Sequence, residues 1–482
     1  MNNYKSIQKM LSKKGMNLVN DDIYDVISIW KSWYRGNVDD FHFYNAKLVD
    51  GSECRCERLT MNIPKKVCED FSKLLWSEKA KITLDTESAT TKLWSILDNK
   101  KNNFSISFPQ AVEKAFALGT GVLIEYKVED ETIIEYIDGD NIAPYKFTNS
   151  YIYGFISVNN FIEADDKEKK QYYTHITYHE YVNGKYMKLN ELYVSDTASS
   201  IGKEVSFEDK FPDVENPVVY ITDTPHFQFI KPGIANNYDL NSPMGLSVYA
   251  NQLDKFKALD TKYDSFMNEF ELGKKRILVD KSLVKTSTVV TDGVVSNVSY
   301  FDKRDKVYQA ISGMENLPAK EIDFSIRYEE HIQGINADLN YISAGVGLGQ
   351  NYYDFNQDGV KTATEVVSEN SDTFRTKAHH EIVIRDVLYD LVKSIMFLEG
   401  IKSKNINIVF DDSIIQDEDA KIDKGLKLLS AGAISKETFM RDYLNYDEDK
   451  IIQELAKLKE QNKIVMPESI DFFGADTNQV GE

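Results

Sequence analysis

Apolar positions along this chain change spacing twice, and the changes divide it. Ile23, Val26, Ile27, Trp30 and Trp33 recur at helical intervals and predict a helix from Asp21 to Tyr34, ended by Gly36. Val67, Phe71, Leu74 and Leu75 predict a second, over Asn62–Trp76, with Pro64 in its first turn. Ser107 and Gln110 read as a capping box ahead of Val112, Ala115 and Phe116, and Gly119 stands where a left-handed C-terminal residue belongs. The period then drops to two. GVLIEYKV, TIIEYI, YIYGFISV and YYTHITYHEYV, separated by turn signals at Asp138-Gly139-Asp140 and Asn183-Gly184, predict an antiparallel meander over residues 121 to 230. His175 and His179 share one face of a strand there, with no third ligand to make a metal site.

Helical spacing returns at greater length from Leu246 to Glu271. Tyr249, Phe256, Tyr263 and Phe270 fall every seven residues, Leu246, Leu253 and Met267 fill the companion seam, and Asp260 is the lone polar intruder. Such a helix spans ~39 Å at 1.5 Å per residue. Its other faces carry Asp254, Lys255, Lys257, Lys262 and Asp264, which predicts one buried stripe and packing beside a neighbour. A second long helix is expected over Glu321–Ser343, with Phe324, Tyr328, Ile332, Ile335, Leu339 and Ile342 on one side and Gly334 costing ~1 kcal/mol relative to Ala. Between the two, KSLVKTSTVVTDGVVSNVSYF reads as a β-hairpin about Asp292-Gly293. The whole is an αα-hairpin capped by a β-containing module.

A third long helix is expected from Thr362 to Leu398, polar all round in its first half and burying Val387, Leu388, Leu391, Val392 and Ile395 in its second. A half-wet helix of this kind crosses open space or leans on other subunits. His379 and His380, being adjacent, point about 100° apart and do not serve one site. Short helices are expected at Asp417–Leu429, Ser435–Leu444 and Asp447–Gln461, and from Pro467 the sequence loses all period.

Composition and charge narrow the function. The 482 residues are 42% hydrophobic, enough for sizeable cores, and the net charge is −20, which excludes a surface that coats nucleic acid. Residues 273 to 320 run against that balance, with nine basic residues (Lys274, Lys275, Arg276, Lys281, Lys285, Lys303, Arg304, Lys306, Lys320) to five acidic ones, and read as a contact module. Cys54, Cys56, Cys68 and His42 lack the paired knuckles of a structural zinc site, and an odd cysteine count suits a reducing compartment. No apolar run reaches ~18 residues and MNNYKSIQKM has no signal-peptide core, so assembly in a cytoplasm and no membrane contact are expected. No P-loop, G-x-S-x-G, H-E-x-x-H or dinucleotide-binding glycine motif occurs, so neither enzyme nor cofactor is expected.

One motif match remains, in GVGLGQNYYDFNQDGVKTATE over Gly345–Glu365. Asp354, Asn356, Asp358, Gly359 and Glu365 keep the spacing of a calcium loop. Against it, glycines 345, 347 and 349 break the helix that should run into Asp354, and Lys361 replaces the usual apolar residue at position eight. A turn that starts a helix, with Thr362 and Glu365 as a capping box, is the simpler reading; a calcium-binding regulatory or scaffold protein organised by this loop is the other.

The order of long helix, basic β-module, long helix, Gly- and aromatic-rich loop and long helix resembles the portal proteins of tailed bacteriophages, the type found in long-tailed phages of Gram-positive hosts. SPMGLSVYAN at 242 to 251 and GVKTATEVVSENSDTFRT at 359 to 376 carry the likeness, which runs from about Asn62 to Gln461. The resemblance implies an α+β portal fold: an N-terminal segment (1–60), a wing of helices and antiparallel strands (61–241), stem helices (242–271 and 321–344), a clip (272–320), a tunnel loop (345–360), a long wing helix (361–400), a helical crown (401–465) and an acidic tail (466–482). It further implies a cyclic homo-oligomer, usually of twelve, at one capsid vertex of the virion, assembled in the host cytoplasm and passing double-stranded DNA. Gln350, Asn351, Tyr352 and Tyr353, with Lys361 at the edge, would meet that DNA weakly. Tyr249, Leu253, Phe256, Tyr263, Phe270, Tyr328, Ile332 and Ile335 would pack the stem. Lys274, Lys275, Arg276, Lys281, Lys303, Arg304 and Lys306 would dock the terminase and a head-completion adaptor, with capsid and scaffolding proteins as further partners.

Overall fold

A computed structural model describes residues 4–465, except 17, 48–50, 78, 165–169, 274–275, 281–285, 292–293, 300–307, 312–318, 323–324, 355–362, 411–417, 445 and 447. Over 4–6, 272, 276–322, 363–370, 418–421, 448–449 and 459–465 only the backbone is described. The chain forms two compact units, one of residues 1–359 and 369–411, the other of 360–368 and 412–482. The class is α+β.

In the first unit the helices Asp22–Tyr34, Ile63–Leu75 and Phe104–Leu118 form where the apolar spacing places them. They bury Trp30, Trp33, Val67, Phe71, Val112 and Phe116 in one core, shared with Tyr249, Leu339 and Leu388. The third helix starts at Phe104, three residues before Ser107, so Ser107 is not its cap: its Oγ donates to Asn102 O at 2.8 Å, and Asn103 leads in with a left-handed backbone. Gly119 does take the left-handed conformation, φ +79°, and its Cα lies so close to the chain at Gly245 that an added Cβ would stand 2.6 Å from Gly245 O.

The period-two region folds as two sheets, not one meander. Gly121–Val128 lies between Glu131–Asp138 and Phe227–Ile230 in a three-stranded antiparallel sheet. Ile142–Thr148, Tyr151–Ala164, Lys170–Val182, Lys185–Ser195 and Lys203–Val205 follow one another across a second, and Val218–Ile221 also pairs Lys185–Ser195. The turn at Gly139–Asn141 changes sheets, while Asn183 and Gly184, both at positive φ, make the tight hairpin that joins Val182 to Lys185. The N-terminal helix Tyr4–Lys13 packs Ile7 and Leu11 onto Ile156, Ile176 and Tyr193 of this sheet. His179 and His175 are structural: His179 Nδ1 meets Tyr186 Oη at 2.9 Å and His175 Nε2 meets Asn190 Oδ1 at 3.0 Å, and burial pushes both imidazoles below their ordinary pKa.

The long helices run Leu253–Leu272, Tyr328–Gly345 and Ala363–Glu399. The first begins seven residues later than its apolar spacing suggests. Val248 N–H donates to Phe116 O at 3.1 Å, tying the preceding segment to the end of another helix, and only a 3-10 turn, Ala250–Gln252, leads in. The second begins at Tyr328 because Ala319–Ile322 is a strand, antiparallel to Arg276–Val279. Tyr308–Ile311 pairs the other edge of Arg276–Asp280 in parallel, and Thr286–Thr291 with Val294–Ser299 forms the hairpin expected about residues 292–293. Ile406–Val409, at the start of the stretch expected as crown, pairs Lys81–Leu84 within the first unit.

In the second unit the helices Glu418–Ser430, Lys436–Asp442 and Glu448–Val465 follow the expected spacing. Ser435 caps the middle one by accepting from Thr438 N–H at 3.0 Å, and Gly425 lets the first approach the stacked rings of Phe439 and Tyr443.

Candidate channel loop and stem

The loop after the second long helix is held down at almost every residue. Gly345 O accepts from Gln252 Nε2 at 3.1 Å, and Gly347 O accepts from Thr376 Oγ1 at 2.6 Å. Gly349 N–H donates to Thr373 Oγ1 at 2.9 Å, and Asn351 N–H donates to Asn340 Oδ1 at 3.2 Å. Gly347 sits at φ +83°, and a Cβ there would stand 2.7 Å from Thr376 Oγ1, so both conformation and space call for glycine. Val346 and Leu348 are buried beneath.

Of the loop residues expected at a channel wall, Gln350 is exposed and Asn351 half-buried, with a left-handed backbone at φ +67°. Tyr352 and Tyr353 are half-buried and pack on the core, ring to ring at 4.9 Å and 83°. Tyr353 Oη donates to Asp70 Oδ2 at 3.1 Å, and Lys66 pairs with the other oxygen of Asp70. Burial beside Asp70 raises both phenols, Tyr352 to about 12. Asn356, Asp358, Gly359 and Lys361 lie outside the described residues, Glu365 lies in the long helix with only its backbone described, and Asp354 closes a turn by donating its N–H to Asn351 O at 3.1 Å.

The partner of this loop is the first half of the long helix, and that half is not wet all round. Thr373, Lys377 and His380 are all under 4% exposed and continue, at helical spacing, into the apolar stripe of Ile384, Leu388, Leu391 and Ile395. Each polar member has an assigned bond. Thr373 holds Gly349, Lys377 Nζ pairs with Glu381 Oε1 at 2.6 Å, and His380 Nδ1 accepts from Gly233 N–H at 2.9 Å with its ring edge-on to Phe71 and Phe116. Burial pushes His380 down to about 4, consistent with a neutral acceptor. Further along, His226 Nδ1 lies 2.7 Å from Ser394 Oγ, which donates to Glu125 Oε2 at 2.8 Å. Burial raises Glu125 to about 8 and lowers His226 to about 4, so both are neutral at pH 7.

The helical hairpin expected as stem pairs Leu253–Leu272 with Tyr328–Gly345, and its seam divides. Tyr249 and Phe256 are fully buried against the chain's own N-terminal segment: Tyr249 Oη donates to Trp30 O at 2.8 Å, and Phe256 meets Trp33 at 5.9 Å. Leu253 and Ile335 pack in the same core. Asp260, the intruder in the seam, is 2% exposed and accepts twice, from Met61 N–H at 2.9 Å and from His42 Nε2 at 3.0 Å. Val38 N–H donates to His42 Nδ1 at 3.0 Å, which leaves the imidazole proton on Nε2 and facing Asp260. Beyond Asp260 the hairpin is joined by charge and by the ring of Phe266, which stacks on His331 at 5.0 Å and lies 6.0 Å from Tyr328. Lys262 Nζ lies 2.7 Å from Asp338 Oδ2 and donates to Gly334 O at 3.2 Å; Arg327 Nε lies 2.9 Å from Glu269 Oε1. Tyr263 and Ile332 are half-buried there, while Phe270 and Tyr328 are 43% and 58% exposed.

Residues 19–467 match the phage portal protein family described as SPP1 Gp6-like. The chain belongs to that family. Among curated proteins none matches it. Its fold is similar to chains in two solved gene transfer agent assemblies. One is the neck of an empty particle computed with C6 symmetry: 12% identity, 78% of this chain and 89% of that chain covered, TM-score 0.43. The other is the virion of the native particle: 11% identity, 88% and 94% covered, TM-score 0.42.

For this portal protein, Lys274, Lys275, Lys281, Lys303, Arg304 and Lys306 lie outside the described residues, and Arg276 opens a strand whose side chains are not described. Asp70, Gln252, Asn340, Thr373 and Thr376 are the loop's holders. The sequence carries only the faintest signal for them: Thr373 falls on the inward stripe extrapolated back from Ile384 and Leu388.

Proposed function

We propose that this portal protein assembles as a closed ring of identical subunits, twelve in number, around a channel at one capsid vertex of the virion, through which double-stranded DNA is packaged and later ejected. The family match over residues 19–467 carries this reading. The exposed aromatic end of the stem hairpin supports it, since Phe270 and Tyr328, though each packs on Phe266, stay 43% and 58% exposed among the described residues, and a neighbouring stem would cover them. The ring acts without enzymatic chemistry of its own. Within it, the helices Leu253–Leu272 and Tyr328–Gly345 are the stem, the strand module between them the clip, 61–241 and the long helix Ala363–Glu399 the wing, and the helices from Glu418 to Val465 the crown.

Loop 345–360 lies at the channel wall. Gln350 and Asn351 offer DNA neutral amides, with Lys361 at the edge, while Tyr352 and Tyr353 support the loop from beneath. A net charge of −20 suits the task, because a wall that neutralised phosphates would hold DNA instead of passing it. The basic clip docks the terminase during filling and a head-completion adaptor afterwards, and the outer surface meets capsid and scaffolding proteins. Negative-stain imaging with mass measurement of the purified chain tests the assembly: closed rings are expected, and a stable monomer at high protein concentration overturns the proposal. In a packaging reaction with proheads and terminase, charge reversal at Lys303, Arg304 and Lys306 should abolish DNA uptake while leaving rings intact.

A further inference from the structure

Cys54 and Cys56 stand apart from everything the portal reading uses. They alternate on the strand Glu53–Glu57, so both side chains leave the same face, and their Sγ atoms lie 3.6 Å apart. Both are half-buried and therefore accessible, whereas Cys68 is fully buried in the core. The paired strand Phe43–Lys47 sets Tyr44 opposite Cys56 and Ala46 opposite Cys54, adding no competing ligand. The base of this hairpin is fixed: Arg58 N–H donates to His42 O at 2.7 Å, Leu59 N–H donates to Asp264 Oδ1 at 3.1 Å, and His42 is engaged by Val38 and Asp260. His42 is thus not a third ligand, and among the described residues no group of three His, Cys, Asp or Glu could hold a metal.

Two thiolates can still chelate. With metal–sulfur bonds of ~2.3 Å, a 3.6 Å separation subtends about 100° at the metal, close to the tetrahedral angle. A disulfide is a poorer fit, since alternate Cα atoms of a strand rise ~6.6 Å, near the upper end of what a disulfide spans. We propose that Cys54 and Cys56 form a two-thiolate chelate for one thiophilic divalent cation of the zinc and cadmium class, on the hairpin fixed to the first stem helix. Each thiol gives its proton to solvent as its sulfur bonds the metal, no electron changes hands, and water fills the remaining positions.

Cadmium titration of the full-length chain, in a non-thiol reductant with excess calcium to occupy carboxylates, tests this through the thiolate-to-metal charge-transfer band. One cadmium per chain is expected, with at least a tenfold loss of affinity in Cys54→Ser and in Cys56→Ser and no change in Cys68→Ala. Far-UV circular dichroism verifies that the serine variants fold. Cadmium binding without the charge-transfer band, or a band that survives in Cys54→Ser, overturns the proposal.

Discussion

The seven-residue repeat of Tyr249, Phe256, Tyr263 and Phe270 runs from the root to the tip of the long helical hairpin, and the two ends do opposite things with it. At the root, Tyr249 and Phe256 are sealed by the chain's own Trp30 and Trp33, and the one polar seam residue, Asp260, has both oxygens bonded. At the tip, Phe270 and Tyr328 are largely exposed, and the hairpin is joined by Lys262–Asp338, by Glu269 with Arg327 just ahead of the second helix, and by the ring of Phe266 against Tyr328 and His331. A repeat in the sequence thus marks which positions seek burial without saying whether the same chain or another copy provides it.

That contrast can be broken most forcefully at the root. Phe256→Ala should cost ~3–5 kcal/mol by transfer and cavity terms, read as a fall in the thermal midpoint of the unassembled chain. Asp260→Ala should cost about 2–3 kcal/mol, because it strands the buried His42 Nε2–H and Met61 N–H; denaturant midpoints at constant slope would measure it. The core behind the root should also respond to pH. Glu125 is raised to about 8 in the fold, so the unfolded chain sheds that proton first, and stability falls as pH rises from the ordinary carboxylate range to about 8. His226 and His380, each lowered to about 4, act oppositely, but their contribution is complete above pH ~6.5. Glu125→Gln should therefore flatten the slope between pH 6.5 and 8 by up to ~1.4 kcal/mol per unit, measured by thermal melts across that window. At the tip, Phe270→Ser with Tyr328→Ser removes two ring contacts with Phe266 and should shift the single chain by ~1 kcal/mol, well below the loss at the root, while lowering the fraction in rings seen by native mass spectrometry. Equal losses of single-chain stability at tip and root would erase the distinction.

What sequence made legible here was local. Apolar spacing located the helices to within a few residues where the helix packs on its own stripe, and Asn183-Gly184 located its hairpin because two consecutive positive φ angles demand such residues. The failures share a cause, long-range hydrogen bonding that outweighs spacing. Leu246–Tyr249 keeps the seam's period but gives a backbone donor to Phe116, and Glu321 and Ile322 pair with a strand more than forty residues earlier. The loop's position was legible from its glycines, yet its anchor Asp70 lies 283 residues from Tyr353, and nothing in either neighbourhood announces the pair.

The buried stripe on the long helix has a mechanical consequence. A purely greasy ridge can slide by a turn along its groove and find equivalent contacts, whereas Thr373 and His380 each fit one donor or acceptor at one height. They work like notches on a ruler, indexing the helix along its axis. Because Thr373 and Thr376 also hold Gly349 and Gly347, any axial slip of that helix would be passed directly to the loop.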